Sequence, residues 1–225
     1  MTEALPDELS EKVAALREMR AAHSDLGMGI LRAYDGALYP LDFMAVAVIK
    51  RSLNLLSAFC GLVEDRNFLA AAALLRLQLD SCLRFYAAFL VDDPHEFALE
   101  VLAGKQIRKL RARGGSQMTD RYLLECLSES EPWITSLYEH TSGFVHLSEK
   151  HIFATLQSVR EEKEERTLEF LIGGADAFIP SERYVEAIDA FEAVTDLLLR
   201  YLEGWRVSKA HPELLRNSNE GPSQE

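Results

Sequence analysis

Apolar residues recur every three to four positions along most of the chain, the spacing of amphipathic helices. From about Asp7 to Tyr34, the residues Leu9, Val13, Leu16, Leu26, Ile30 and Tyr34 predict one long helix, or two shorter collinear ones meeting near Gly27 to Gly29. After a turn signal at Tyr39 and Pro40, Asp42 opens a second helix that runs to about Glu64. Asp65 and Arg66 form a turn with Asn67, a good N-cap for a third helix, FLAAAALLRLQLDSCLRFYAAFLV, which ends before Asp92, Asp93 and Pro94. This third segment is apolar almost all round, so it is expected to be enclosed by neighbours. The short link makes it the antiparallel partner of the second.

A fourth helix is expected from about Pro94 to Arg111, stopping at Gly114 and Gly115, and a short fifth from Thr119 to Ser128. Ser130, Glu131 and Pro132 introduce a sixth, running to Gly143 or beyond. The runs Ile152 to Val159 and Thr167 to Ile172 are β-prone and flank the charged stretch REEKEER, which predicts a small β-hairpin; one continuous helix through the charges is the alternative. Pro180 and Ser181 then lead a last long helix, about Glu182 to Val207, with Tyr184, Ile188, Phe191, Val194, Leu198, Tyr201 and Trp205 on one stripe. The expected fold is mainly α: a bundle of about six or seven helices with a β-hairpin before the last. It forms a single domain over 1–209, followed by a polar, flexible tail over 210–225. Repeats that would signal a solenoid are not evident.

Composition narrows the picture. With 225 residues, 48% hydrophobic, 27% charged and only 12 Gly and 7 Pro, the chain has material for a core and long elements. A net charge of −12 argues against a broad grip on nucleic acid, which requires phosphate neutralisation, but leaves room for a local basic site. Cys60, Cys82 and Cys126 are widely spaced and odd in number, and read as reduced core thiols. The N-terminus MTEALPDELSEK lacks the regions of a secretory signal, and no apolar stretch of spanning length is free of charges; a cytoplasmic location without membrane insertion is the expectation.

Chemistry is concentrated in three places. On the third helix Arg76, Asp80 and Arg84 fall at i, i+4 and i+8, a charge ladder on an apolar background. Such groups must pair with one another or meet polar partners from a facing helix, because unpaired burial costs several kcal/mol. They read either as an architectural ion-pair network or as the wall of a polar pocket. The segment YEHTSGFVHLSEKH supplies Tyr138, His140, Ser142, His146, Ser148 and His151. If the helix continues through Gly143, then Tyr138, Ser142 and His146 share a stripe that could face Arg76 and Asp80, joining groups suited to acid–base work or to gripping an anion. Packed, hydrogen-bonded core positions are the alternative for Tyr138 and His146. Lys105, Arg108, Lys109, Arg111 and Arg113 form a run without acids, which could hold phosphate or pair with the acidic run from Glu161 to Glu165; interleaved aromatics for base stacking are lacking. His140 and His146 are six apart and no HExxH accompanies them, so neither a metal site nor another cofactor is expected; GxSxG and GxxxxGK[ST] are likewise missing.

The helix containing LLRLQLDSCLRFYAAFL followed by YEHTSGFVHLS resembles HEPN-like bacterial helical proteins, over roughly Leu41 to His151. The resemblance implies a helical-bundle homodimer and, for many members, ribonuclease activity in defence or toxin–antitoxin systems, carried by an Arg followed after four to six residues by His. His146 matches the histidine, but the arginine is missing, its positions falling on residues that include Glu139, His140 and Thr141. That departure favours a non-catalytic interaction or binding protein of HEPN-like type, with a protein partner as well as self-association in view. An RNA- or nucleotide-acting enzyme with a degenerate motif is the first alternative: His146 and Tyr138 would be its catalytic residues, and Lys105, Arg108 and Lys109 its phosphate contacts. A sensor of a small anionic ligand is the second. For binding in general the candidates are Arg76, Asp80, Arg84, Ser142 and His140.

Overall fold

In the computed structural model of the protein, residues 5–162, 165–170, 172–176 and 179–211 are described, with the side chains of 153 and 156–169 excepted. Among them are eight α-helices: α1 (Asp7–Arg32), α2 (Pro40–Glu64), α3 (Phe68–Tyr86), α4 (Pro94–Leu102), α5 (Asp120–Ser128), α6 (Trp133–Val145), α7 (Glu149–Thr155) and α8 (Ser181–Ala210). The protein is thus a mainly helical bundle, with slightly more helices than its apolar periodicity indicates. Most of the expected tail lies outside the described residues.

Local signals account for several boundaries. Asn67 Oδ1 accepts from the Ala70 amide at the start of α3, and Asp93 accepts from the amides of His95 and Glu96 ahead of Pro94 in the first turn of α4. No residue of α3 is exposed, as its uniformly apolar sequence requires. Three boundaries depart from expectation. The third helix ends at Tyr86 rather than at Val91, and a 3-10 turn, Ala87–Phe89, follows it. The fourth helix ends at Leu102 rather than Arg111, because Gly104 takes a φ of +88 and the basic segment continues as a single 3-10 turn, Ile107–Lys109. The region assigned to β structure begins with a helix instead. Ser148 Oγ accepts from the Lys150 amide while His151 Nδ1 accepts from the Ser148 amide, a reciprocal cap that starts α7 and carries it through Ile152 to Thr155. Beyond it Leu156–Glu162 and Glu165–Phe170 run antiparallel, with Val159 opposite Leu168 and Glu162 opposite Glu165. Arg160 to Glu162 and Glu165 to Arg166 of the charged run therefore lie within these segments rather than between them.

The chain divides into two compact units. Unit 1 takes Met1–Glu18, Asn54–Asp80 and Ser128–Val194; unit 2 takes Met19–Leu53, Ser81–Leu127 and Thr195–Glu225. In unit 1 the core is built from Leu9, Val13, Leu16, Leu56, Phe59, Val63, Leu75, Leu79, Tyr184, Ile188 and Phe191. Phe59 and Phe191 stack with ring centres 4.3 Å apart. The turn between α2 and α3 is pinned from the far end of the sequence. Arg66, at a left-handed φ of 57, offers its carbonyl to the Tyr184 hydroxyl at 2.7 Å and to the Asp176 amide at 2.8 Å. Asp176 Oδ2 in turn accepts from the Leu69 amide at the first turn of α3. Burial pushes the Tyr184 phenol up to about 12; the nearby Asp176 carboxylate adds to the shift and Arg66 opposes it. These bonds fix the start of α8 against the start of α3.

In unit 2 the core residues include Ile30, Leu41, Ala45, Ile49, Leu83, Phe85, Met118, Leu123, Leu198, Leu202 and Trp205. An ion pair and a histidine are buried with them. Asp42 Oδ2 and Lys209 Nζ form an ion pair at 2.8 Å, with side-chain exposures of 1% and 0%. His23, fully buried, lies between the Met19 carbonyl, 2.8 Å from Nδ1, and Ser52 Oγ, 2.8 Å from Nε2. A carbonyl only accepts, so Nδ1 carries the hydrogen and Ser52 donates to Nε2. Burial holds the His23 pKa below the usual 6.5, although the bond to Met19 pulls it up. The folded state therefore favours the neutral ring. This contribution to stability is complete above the unfolded-state pKa and is lost as pH falls through the lower folded-state value. The melting temperature is expected to drop on acidification from about pH 7 to 5. A His23→Gln variant, compared by thermal scans over the same range, should show a shallower drop; parallel curves would remove His23 as a cause.

By length and composition α2 is apolar enough to cross a membrane, although Lys50 and Arg51 stand at its middle and Asp42 in its first turn. Its buried residues are Leu41, Asp42, Ala45, Val48, Ile49 and Ser52 in unit 2, and Leu56, Phe59, Cys60 and Val63 in unit 1.

Candidate functional site

Three helices of unit 1 enclose an open cleft of ≈ 510 Å³. Each contributes residues at helical spacing, so each presents one continuous face. From α3 come Phe68, Ala72 and Leu75; from α6 come Trp133, Leu137, His140 and Phe144; from α8 come Arg183, Ala187 and Ala190, with Ile179 just ahead of it. Lys150 of α7 and Glu186 of α8 complete the charged part of the lining. The walls are mainly apolar and the polar groups few, the usual make-up of a small-molecule site of this size.

The aromatic wall is ordered by mutual contact. Phe68 meets Phe144 edge to face at 5.9 Å and Tyr184 at 5.2 Å. Trp133, 37% exposed, donates its indole N–H to Glu131 at 2.7 Å, which directs its polar edge to the acid. The hydroxyl of Thr141, a further lining residue, donates back to the Leu137 carbonyl at 2.7 Å. Lys150 places Nζ 4.4 Å from the centre of the Phe144 ring and donates to the His140 carbonyl at 2.5 Å, toward the C-terminal end of α6 where the helix dipole favours a cation. His140 Nδ1 lies 2.7 Å from the Ser136 carbonyl, so it donates there and the neutral ring keeps its lone pair on Nε2. Arg183 pairs with Glu186 at 2.9 Å.

The sequence candidates fall partly inside this arrangement and partly elsewhere. His140 lines the cleft. Tyr138, one residue from Leu137 and therefore about 100° round α6, receives the Arg76 guanidinium over its ring at 4.0 Å, which is the meeting of α3 and α6 that their polar stripes suggested. Ser142 donates back to the Tyr138 carbonyl at 2.6 Å. His146 does not continue the stripe: α6 ends at Val145, and His146 is its exposed C-cap with extended backbone. Asp80 is half-buried in unit 1, whereas Arg84 belongs to unit 2 and pairs with Asp120 at the start of α5. Arg76 and Arg84 thus both find partners on facing helices.

In the basic segment Lys105 pairs with Glu100, and Arg108 donates to Gln106 at 3.0 Å. Arg111 donates to the Gly115 carbonyl and Arg113 to Asp92, each at 2.6 Å. Lys105, Lys109 and Arg111 border a second open cleft in unit 2. Pairing with the acidic run from Glu161 to Glu165 would involve side chains outside the described set. Among the described residues no group of three or more His, Cys, Asp or Glu side chains could hold a metal ion.

Trp133, Leu137, His140 and Phe144 follow a 4-3-4 spacing, and Phe68, Ala72 and Leu75 the same 4-3 step on α3, so the pattern marks each set as one helix face without marking it as a cleft. The buried pair had its own signal, because Lys209 extends the α8 stripe four residues past Trp205. No protein-family model, curated protein or solved structure matches the chain.

Proposed function

We propose that the protein is a non-catalytic, HEPN-like helical binding protein and that the unit 1 cleft is its binding site. The observation that carries this reading is the cleft itself: three helix faces with pre-ordered aromatic rings and few polar groups, open to solvent and large enough for a small ligand. The positions of the candidate catalytic groups support it. Tyr138 is engaged by Arg76, while His146 stands exposed past the end of α6. A bacterial defence or toxin–antitoxin setting, a cytoplasmic location, homodimerisation and a small β-hairpin ahead of the last helix belong to the same proposal.

A thermal-shift screen of small apolar and amphipathic compounds tests it. A specific ligand at about 100 times its Kd should raise stability by about 2.7 kcal/mol, and Ala190→Phe, which fills the cleft from α8, should abolish that gain. The RNA-acting alternative predicts instead that purified protein cleaves RNA and that His146→Ala abolishes cleavage. This pair of results would replace the binding reading, and so would an Ala190→Phe variant that keeps every ligand response.

A further inference from the structure

Given that the cleft is a binding site, we infer that its ligand is a monoanionic amphiphile: a carboxylate carried on an aromatic or alkyl body. Charge and shape both lead there. The lining contains two fixed cations, Lys150 and Arg183, and a single acid, Glu186, which Arg183 already neutralises at 2.9 Å. Lys150 is therefore the uncompensated charge among these lining groups. Its ammonium has three donors, and the His140 carbonyl and the face of Phe144 account for only part of its capacity. Both contacts hold the ammonium at the cleft in a fixed position, so an anion arriving there meets a pre-placed donor rather than a flexible side chain that must first be ordered. A carboxylate at Lys150 gains a charge-assisted hydrogen bond.

The body of the ligand follows from the rest of the surface. Phe68, Leu75, Leu137 and Phe144 offer rings and branched side chains without unsatisfied polar atoms, which favours rings and methylenes over a sugar or a peptide backbone. A dianion or a polyphosphate would leave charge unmatched in the cleft. A cation would meet Lys150 directly.

The chain has two tryptophans, of which Trp133 lines the cleft and Trp205 is buried in unit 2, so indole fluorescence reports on this site once the Trp133→Phe signal is subtracted. The full-length protein would be titrated with 1-naphthoate and with decanoate below micelle formation, and in parallel with 1-naphthamide, decanol and decylamine. The expected result is saturable perturbation of Trp133 by one or both carboxylates, with the matched neutral compound at least tenfold weaker and the amine weaker still. Lys150→Gln should weaken the carboxylate about tenfold and leave the neutral analogue unchanged. Binding of naphthoate but not decanoate, or the reverse, identifies the body of the ligand. If neutral compound or amine binds as tightly as the acid, or if Lys150→Gln leaves the preference intact, the assignment to anions is overturned while the cleft stands as a site. If none of the five compounds binds and circular dichroism shows the protein folded, both the ligand class and the binding-site reading fall.

Discussion

Lys209→Met is expected to lower the stability of the protein by about 3–5 kcal/mol. The reason is what it leaves behind. The Asp42 carboxylate accepts from three groups: Lys209 Nζ and the Tyr39 amide on Oδ2, and the Trp205 indole N–H on Oδ1, each at 2.8 Å. Lys209 also donates to the Ile30 carbonyl at 2.8 Å and lies 5.8 Å from the centre of the Tyr39 ring. Removing the ammonium strands a buried negative charge with two neutral donors and deprives the Ile30 carbonyl of Lys209. Asp42→Asn strands the opposite charge and should cost a similar amount. Trp205→Phe removes one hydrogen bond and should cost only about 1.5–3 kcal/mol, since the acceptor is charged but keeps its counter-ion. Replacing both charges, as in Asp42→Leu with Lys209→Met, removes the stranded charge. It still leaves the Tyr39 amide and the Trp205 indole without this acceptor, so recovery should be partial. Urea unfolding followed by circular dichroism would rank the four variants. A Lys209→Met protein within about 1 kcal/mol of the parent would mean that the pair is not what holds this end of α8.

That pair shows where legibility in the sequence ended. Asp42 was readable as a helix opener from its place after Tyr39 and Pro40, and it does accept from the Tyr39 amide. Its second role depends on a residue 167 positions away: the α8 stripe marks Lys209 as inward-facing, but no local pattern names its partner. Caps and periodicity are local, and they placed α2, α5 and the starts of α3 and α4 well, but they ran α3 past Tyr86 into what is a 3-10 turn. They failed at the end of α4, where Ile107 and Leu110 keep a helical rhythm beyond Gly104, a residue that a helix interior tolerates at a cost of about 1 kcal/mol. The left-handed conformation of Gly104 could not be read from the rhythm. They failed again at α7, where Ser148 and His151 make a capping pair without the Glu or Gln that usually marks one.

The site was legible in direction rather than in detail. The sequence joined α3 to α6 through Arg76 and Tyr138, and those residues do meet. It sought the binding surface among conspicuous polar residues, whereas the cleft is mostly made of positions that a periodicity argument assigns to the core. A core stripe and a ligand-binding wall have the same composition. They differ only in whether another element covers them, and coverage is a tertiary property.

Phe191→Ala is the second substitution with a large expected effect, and it bears on function as well as stability. Phe191 is fully buried and stacks on Phe59 at 4.3 Å and 26°, so truncation removes a ring contact and opens a cavity the size of a phenyl group. The cost should be about 3–5 kcal/mol, against roughly 1–2 for Phe191→Leu, which refills most of the volume. The residue adjoins Ala190 and lies one turn beyond Ala187, both of which line the cleft on the neighbouring face of α8. Packing on Phe59 anchors this stretch of α8 on α2, and the same stretch carries one wall of the site. If the cleft binds a small ligand, Phe191→Leu should remain folded yet bind that ligand several-fold more weakly, although residue 191 does not line the cleft. Denaturant midpoints and ligand titrations on the same preparations separate the two effects. Unchanged affinity in a measurably destabilised Phe191→Leu protein would show that α8 keeps its place without the stack, and that the cleft owes its shape to the bonds joining Arg66, Asp176 and Tyr184 alone.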